Sequence, residues 1–156
     1  MPSWAKLVSV KTAAVFVSFA ALAVAGFSFA AGLPGIPRVF QPYRSWHKVN
    51  AKPIRPTATT AHPGIKNVFA SKRKVKGRYP YGTILVKEGY PGGRKFLSLI
   101  ATMRKIRGVD PKHGDWKYIE YTRSTASERF TEIARDGVCW GCHALAKKTD
   151  WVFTQR

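Results

Sequence analysis

From Thr83 to Glu88 apolar and polar positions alternate along the chain. Thr83, Leu85 and Lys87 fall on one side of an extended backbone, and Ile84, Val86 and Glu88 on the other. The β-branched content of this stretch predicts a strand. The turn signal Pro91-Gly92-Gly93 follows, and Lys95 to Met103, with Phe96 to Ala101 at its heart, reads as the antiparallel partner. Ile65 to Ala70 and Trp116 to Thr122 have the same strand character, each entered from a turn, His62-Pro63-Gly64 and Pro111 to Asp115. Three stretches follow helical spacing instead. Near Pro42, Tyr43, Trp46, His47 and Val49 or Asn50 share a side, and Pro53 and Pro56 close the element. After a cap at Ser124 or Thr125, Ala126, Phe130, Ile133 and Ala134 form a stripe that ends at Asp136-Gly137. The last helix runs from Val138 to about Lys148. The expected class is α+β: a predominantly antiparallel β-sheet with flanking helices, the last at the C-terminus.

Composition adds a compartment. Lys6 and Lys11 precede an uncharged apolar run from Ala13 to Phe29, and Ser28-Phe29-Ala30 puts small residues where a signal peptidase cuts. Residues 1–30 are therefore expected to be a signal peptide, residues 31–41 a flexible Gly/Pro-rich spacer, and residues 42–156 the folded domain. The alternative is a retained N-terminal anchor, because the run is near bilayer-spanning length. Gly26, Ser28 and the many alanines make it a poor span. Either way the expected location is outside the cytoplasm, in the periplasm of a bacterium. Without residues 1–30, 126 of the 156 residues remain, enough for one core.

Charge narrows the partners. The chain carries +19, and +17 once Lys6 and Lys11 are gone; between Gly32 and Lys87 there are 12 Lys or Arg and no carboxylate. Such a field attracts anionic partners. In an exported protein an acidic electron-transfer protein or an anionic membrane surface fits better than nucleic acid. The run Lys72, Arg73, Lys74, Lys76, Arg78 is expected to be a solvated loop. Oligomeric state is left open between monomer and homodimer.

The chemistry is concentrated in Cys139-Trp140-Gly141-Cys142-His143, on the last predicted helix. Cys-x-x-Cys-His is the attachment pattern of c-type haem. Two thiols three residues apart lie on one side of a helical turn, so each can add to a porphyrin vinyl group. His143, one residue on, can hold the iron from below. A thioredoxin-like pair opens a helix within a βαβ unit, and no such unit is visible. A zinc site needs further ligands, yet these are the only two cysteines. One covalent haem c is the expected cofactor. For the sixth position, Met103, His47, His62 and His113 are the candidates, and each has an ordinary structural explanation. An open distal side is the leading expectation.

Element order separates haem folds. Small electron carriers place the motif near the N-terminus and follow it with helices, whereas only 13 residues follow His143. Helical bundles place it late, but behind segments of helical rather than strand period.

From about Tyr43 to Arg156 the chain resembles the cytochrome P-460 family, which is related in fold to the β-type cytochromes c′. The matching pieces are Tyr43 to Val49, His62 to Phe69, Tyr81 to Glu88, Gly114 to Tyr118, Cys139 to His143 and Thr149 to Thr154. The resemblance implies one c-type haem, a histidine proximal ligand and a distal site open to small nitrogen compounds such as hydroxylamine and nitric oxide. In hydroxylamine-oxidising members the lysine of Val-Lys-Glu is bonded to the porphyrin, and Lys87 matches it. A lysine in an apolar pocket loses its proton readily and becomes nucleophilic. Those members also place a carboxylate over the iron, expected on the strand after Val-Lys-Glu. Leu97 to Met103 contains no Asp or Glu, and Ile100 stands near the expected place. Glu88 and Glu120 are the possible substitutes. The resulting readings are a hydroxylamine or nitric oxide oxidoreductase, a non-catalytic nitric oxide binder whose pocket is kept apolar by Phe69, Phe96 or Ile100, and an electron carrier docking an acidic partner.

Overall fold

The computed structural model describes residues 32–56, 62, 64–93 and 95–153. Six strands form one antiparallel sheet in sequence order: β1 (His47–Lys48), β2 (Ile65–Ala70), β3 (Ile84–Tyr90), β4 (Leu99–Lys105), β5 (Trp116–Thr122) and β6 (Thr131–Arg135). The chain then closes with a short helix, α1 (Gly137–His143), which runs into a 3-10 helix over Ala144–Thr149. The expected antiparallel sheet with short flanking helices is present, with α1 near the C-terminus. Among the described residues no helix is long and apolar enough to cross a membrane. The expected signal peptide lies outside the described residues.

The sheet packs on both faces, so its strands carry two cores. On one face Val68, Ala70, Leu85, Met103, Trp116 and Tyr118 pack with Trp151 and Val152 from the end of the chain, and Cys139 and Trp140 lean on this layer. On the other, Val86, Ile100 and Tyr121 pack under Ile36, Phe40, Tyr43 and Phe130. Residues 31–41, expected as a spacer, thus contribute Ile36 and Phe40 to this second core. At about 25 cal/mol per Å² of apolar surface, two such layers are what let a domain of this size hold a sheet.

β2 and β5 occupy the stretches expected from their pattern. The largest difference is the stripe from Ala126 to Ala134, which is not a helix. Glu128 accepts the N–H groups of Ser124 (2.8 Å) and Thr125 (3.2 Å), which folds Ser124 to Arg129 into a tight connection. Thr131 to Arg135 then pairs with β5 as an edge strand. The short connection to an antiparallel neighbour overrides helical spacing that rested on only a few residues. The element near Pro42 is a 3-10 helix over Arg38–Ser45, with Pro42 inside it. His47 and Lys48 are extended in β1. The strand expected from Lys95 begins at Leu99 and runs on to Lys105. Most of the basic loop from Lys72 to Arg78 is exposed, as a solvated charge run should be.

Candidate functional site

Register builds the site. Val68, Lys87, Ala101, Glu120 and Ala134 are successive cross-strand partners from β2 to β6. They therefore form one row on one face, with the small Ala101 between Lys87 and Glu120. The next row on that face is Ala70, Leu85, Met103 and Tyr118. Between β5 and β6 the register shifts at Glu120/Tyr121, an irregularity of the kind that re-aims a side chain. Over these rows lies a cleft open to solvent, walled on the other side by Cys139, His143, Val152 and Phe153, with His62 also in its lining. Most of its lining is apolar.

α1 brings Cys139 and His143 to the cleft, while Cys142 is exposed one turn on; both thiols are free. Burial first, then the nearby Glu120 and Asp136 carboxylates, pushes the Cys139 thiol up to about 11. His143 is buried, and Nδ1 lies 2.7 Å from the Trp151 carbonyl oxygen. A carbonyl only accepts, so Nδ1 carries the hydrogen and donates it. Nε2 is left with a free lone pair, the arrangement of a metal-ligating histidine with an outer partner. Burial holds the ring down to about 4, so it is neutral at ordinary pH. Tyr118 (4.7 Å between ring centroids) and Phe153 (5.5 Å) fix the ring plane.

The carbonyl is itself pinned. Asp150 and Trp151 both have positive φ, 62° and 65°, so the chain reverses sharply there. Asp150 Oδ1 meets Lys105 Nζ at 2.5 Å, and Oδ2 accepts the Tyr79 N–H at 2.8 Å. The Asp150 carbonyl accepts Trp116 Nε1–H at 2.9 Å, and Trp151 N–H donates to Ala146 O at 2.8 Å. Gly114 makes room: a Cβ there would stand 2.4 Å from Trp151 Cδ1, and its φ is +73°.

Lys87 points into the cleft as a half-buried amine. Burial and, next, the positive charge of Lys66 push it down to about 8, against the opposing pull of Glu120. Glu120 Oε1 lies 3.3 Å from His62 Nδ1, within ion-pair range but without hydrogen-bond geometry. Of the two substitute carboxylates, Glu120 is in the cleft and Glu88 is not. Glu88 is buried on the far face, where it accepts Tyr43 OH (2.9 Å), Arg44 Nη2 (3.1 Å) and Asn67 Nδ2 (3.1 Å). Ile100 and Phe69 also belong to the far face and cannot line the cleft; Phe96 is not part of its wall either. Val68, Leu85 and Ala101 supply the apolar lining instead.

Among the other candidate ligands, Met103 is a buried wall residue of the cleft. His47 faces Arg73 Nη1 at 3.3 Å, and His113 stacks on Trp140 at 4.1 Å while Nδ1 meets Asp110 at 2.7 Å. Neither lines the cleft. Among the described residues no group of three or more His, Cys, Asp or Glu is gathered as a metal site. Tyr118 was not singled out from the sequence, although it lies two residues before Glu120 in a strand and so must share its face.

A model of the family Cytochrome P460 matches residues 41–154. No curated protein matches the chain significantly.

Proposed function

The chain belongs to the cytochrome P460 family, which implies a c-type haem, and from that premise we propose that it holds one haem covalently and redox-transforms small nitrogen compounds, hydroxylamine or nitric oxide, outside the cytoplasm. Cys139 and Cys142 are the thiols that bind the porphyrin edge, and His143 Nε2 is the donor to iron. The residues fit that group: two free thiols three positions apart, a neutral imidazole with one nitrogen already committed, and an apolar cleft beside them. The observation that carries the reading is the His143–Trp151 hydrogen bond, which commits Nδ1 as donor and so leaves the lone pair on Nε2. Bound haem supplies a redox-active iron with a coordination position open to a small ligand.

The rest is the work of the chain. Glu120 is the carboxylate able to take protons from hydroxylamine, and His62 beside it is placed to pass them on. Lys87 is the residue for the covalent lysine link that the resemblance implies, its proton made easier to lose by burial. Together, Lys87 and Glu120 favour redox chemistry over passive nitric oxide binding, because a pure gas site gains nothing from an amine and a carboxylate in its wall. Electrons leave to an acidic partner drawn by the positive charge.

Mass measurement and a ferrous absorption spectrum of protein matured with haem test this. The expected result is the porphyrin's added mass, two hydrogens fewer if Lys87 is linked, and an absorption band far to the red of ordinary c-type haem that disappears in Lys87→Leu. Glu120→Gln is expected to slow hydroxylamine oxidation by about 100-fold with the spectrum retained. Colourless protein without the added mass overturns the haem reading, and unchanged turnover in Glu120→Gln removes that residue from the chemistry.

A further inference from the structure

Lys66 is among the most deeply buried large side chains described, 2% exposed, and its Nζ has no hydrogen-bond partner. Other buried charged groups are answered: Lys105 by Asp150, and Glu88 by Tyr43, Arg44 and Asn67. Lys66 forms no ion pair among the described residues. Burying an unpaired ammonium costs several kcal/mol even after relaxation. A chain that keeps one there has either neutralised it or reserved it for an anion that arrives from outside.

Its position selects the second. Lys66, Val68 and Ala70 are the buried positions of β2, and Val68 lines the cleft, so Lys66 lies on the cleft face. Across the sheet its partner is Gly89, which brings no polar side chain to it; Leu99, the next partner on that face, is apolar. Lys87, the partner of Val68, is the diagonal neighbour, about 7–8 Å away or somewhat less between Cβ atoms. Two amines thus stand at the β2–β3 side of the sheet, and Glu120, two strands further on, is the one carboxylate among the residues that line the cleft. The thiols are at the opposite side, on α1 next to β6. A porphyrin of the haem type carries its vinyl groups and its two propionates on opposite edges, so thiols that hold one edge leave carboxylates at the other.

We propose that Lys66 is the counter-cation of a haem propionate, which makes the β2–β3 side of the cleft the carboxylate-binding end of the cofactor site. This rests on the haem reading above and goes beyond it, since nothing in the attachment motif names the residue that answers the propionates. The ion pair also gives Lys66 a second effect. A propionate paired with an ammonium exerts less negative potential at the iron, so Lys66 would favour the ferrous state.

The test uses haem-bearing full-length protein. In the diamagnetic ferrous carbon monoxide complex, the side-chain nitrogen-15 shift of Lys66, assigned by its loss in Lys66→Arg, is expected to be that of an ammonium at pH 8. Lys66→Met is expected to keep the haem mass and shift the ferrous/ferric balance at pH 7 toward ferric. The shift should be about tenfold, equivalent to one unit of interaction between a carboxylate and its cation. It should also make that balance pH-dependent as the propionate titrates, while Lys66→Arg stays near wild type. A neutral Lys66 nitrogen in haem-bearing protein overturns the proposal and leaves the haem reading standing. So does an ammonium whose replacement by Met leaves the redox balance unmoved, which points to a small inorganic anion. Wild-type protein without haem mass removes both. Should Lys66→Met not fold, the wild-type nitrogen shift decides.

Discussion

Lys105→Met probes the structure where fold and site meet. The side chains of Lys105 and Asp150 are 8% and 2% exposed, and their charged atoms are 2.5 Å apart. Methionine nearly matches the volume of the lysine stem, so the change removes a charge rather than packing. It leaves a carboxylate buried without its cation, for which breaking a buried pair costs about 3–5 kcal/mol. Asp150 keeps the Tyr79 N–H at 2.8 Å, which places the expected loss toward the lower end, about 3–4 kcal/mol. For a domain of this size each kcal/mol lowers Tm by roughly 4 °C, so the expected drop is roughly 12–16 °C, read by urea and thermal unfolding. Adding Asp150→Asn removes the stranded charge, and the double variant is expected to recover about half of the loss. Because Asp150 adjoins the carbonyl that holds His143, the single variant should also lower the iron–histidine stretching frequency in the ferrous protein. A Lys105→Met protein within about 1 kcal/mol of wild type, or a double variant no better than the single one, would refute the reasoning.

Other perturbations separate the two faces of the sheet. Gly114→Ala puts a Cβ 2.4 Å from Trp151 Cδ1 at a φ of +73°, and the expected loss is about 2–4 kcal/mol in a denaturant titration. Glu88→Gln weakens the buried contacts to Tyr43, Arg44 and Asn67; it is expected to cost about 2 kcal/mol and leave the ferrous spectrum unchanged, because Glu88 lies across the sheet from the cleft. Tyr118→Phe removes a buried hydroxyl without a partner and should be neutral or stabilising by about 1 kcal/mol; destabilisation by that amount would reveal a partner in the haem-bearing protein. Where Lys87 is unlinked, its amine titrates near 8 in the folded chain and near the ordinary 10.5 when unfolded. The unfolded state then binds more protons between those values, so stability relative to Lys87→Met should rise with pH across that window, by about 3 kcal/mol in all. A linked lysine shows no such rise.

Much of the fold was legible because period-2 alternation is a property of neighbours along the chain. It located β2 and β5 and placed Lys87 with Leu85 and away from Glu88, as the structure has it. The stretch from Ser124 to Ala134 misled because its apolar residues fit a helix, while the deciding partner, β5, lies across a turn closed by Glu128. Lys66 gave no local sign at all. A lysine in a short strand reads as solvent-facing, and its 2% exposure is a property of the folded domain.

The sequence by itself determined the spacing of Cys139, Cys142 and His143, the strands β2 and β5, and the face on which Lys87 lies, because each depends on spacing within one segment. Only the tertiary structure decided which carboxylate joins them. Ile100 and Glu120 are on different strands, and the register of β4 against β5 sends Glu120 to the cleft beside Ala101 and Ile100 to the opposite core. A shift of one residue in that pairing would exchange the faces. The register, and the buried Asp150 turn that holds Trp151 against His143, come from contacts between residues distant in the chain, and no local pattern encodes them.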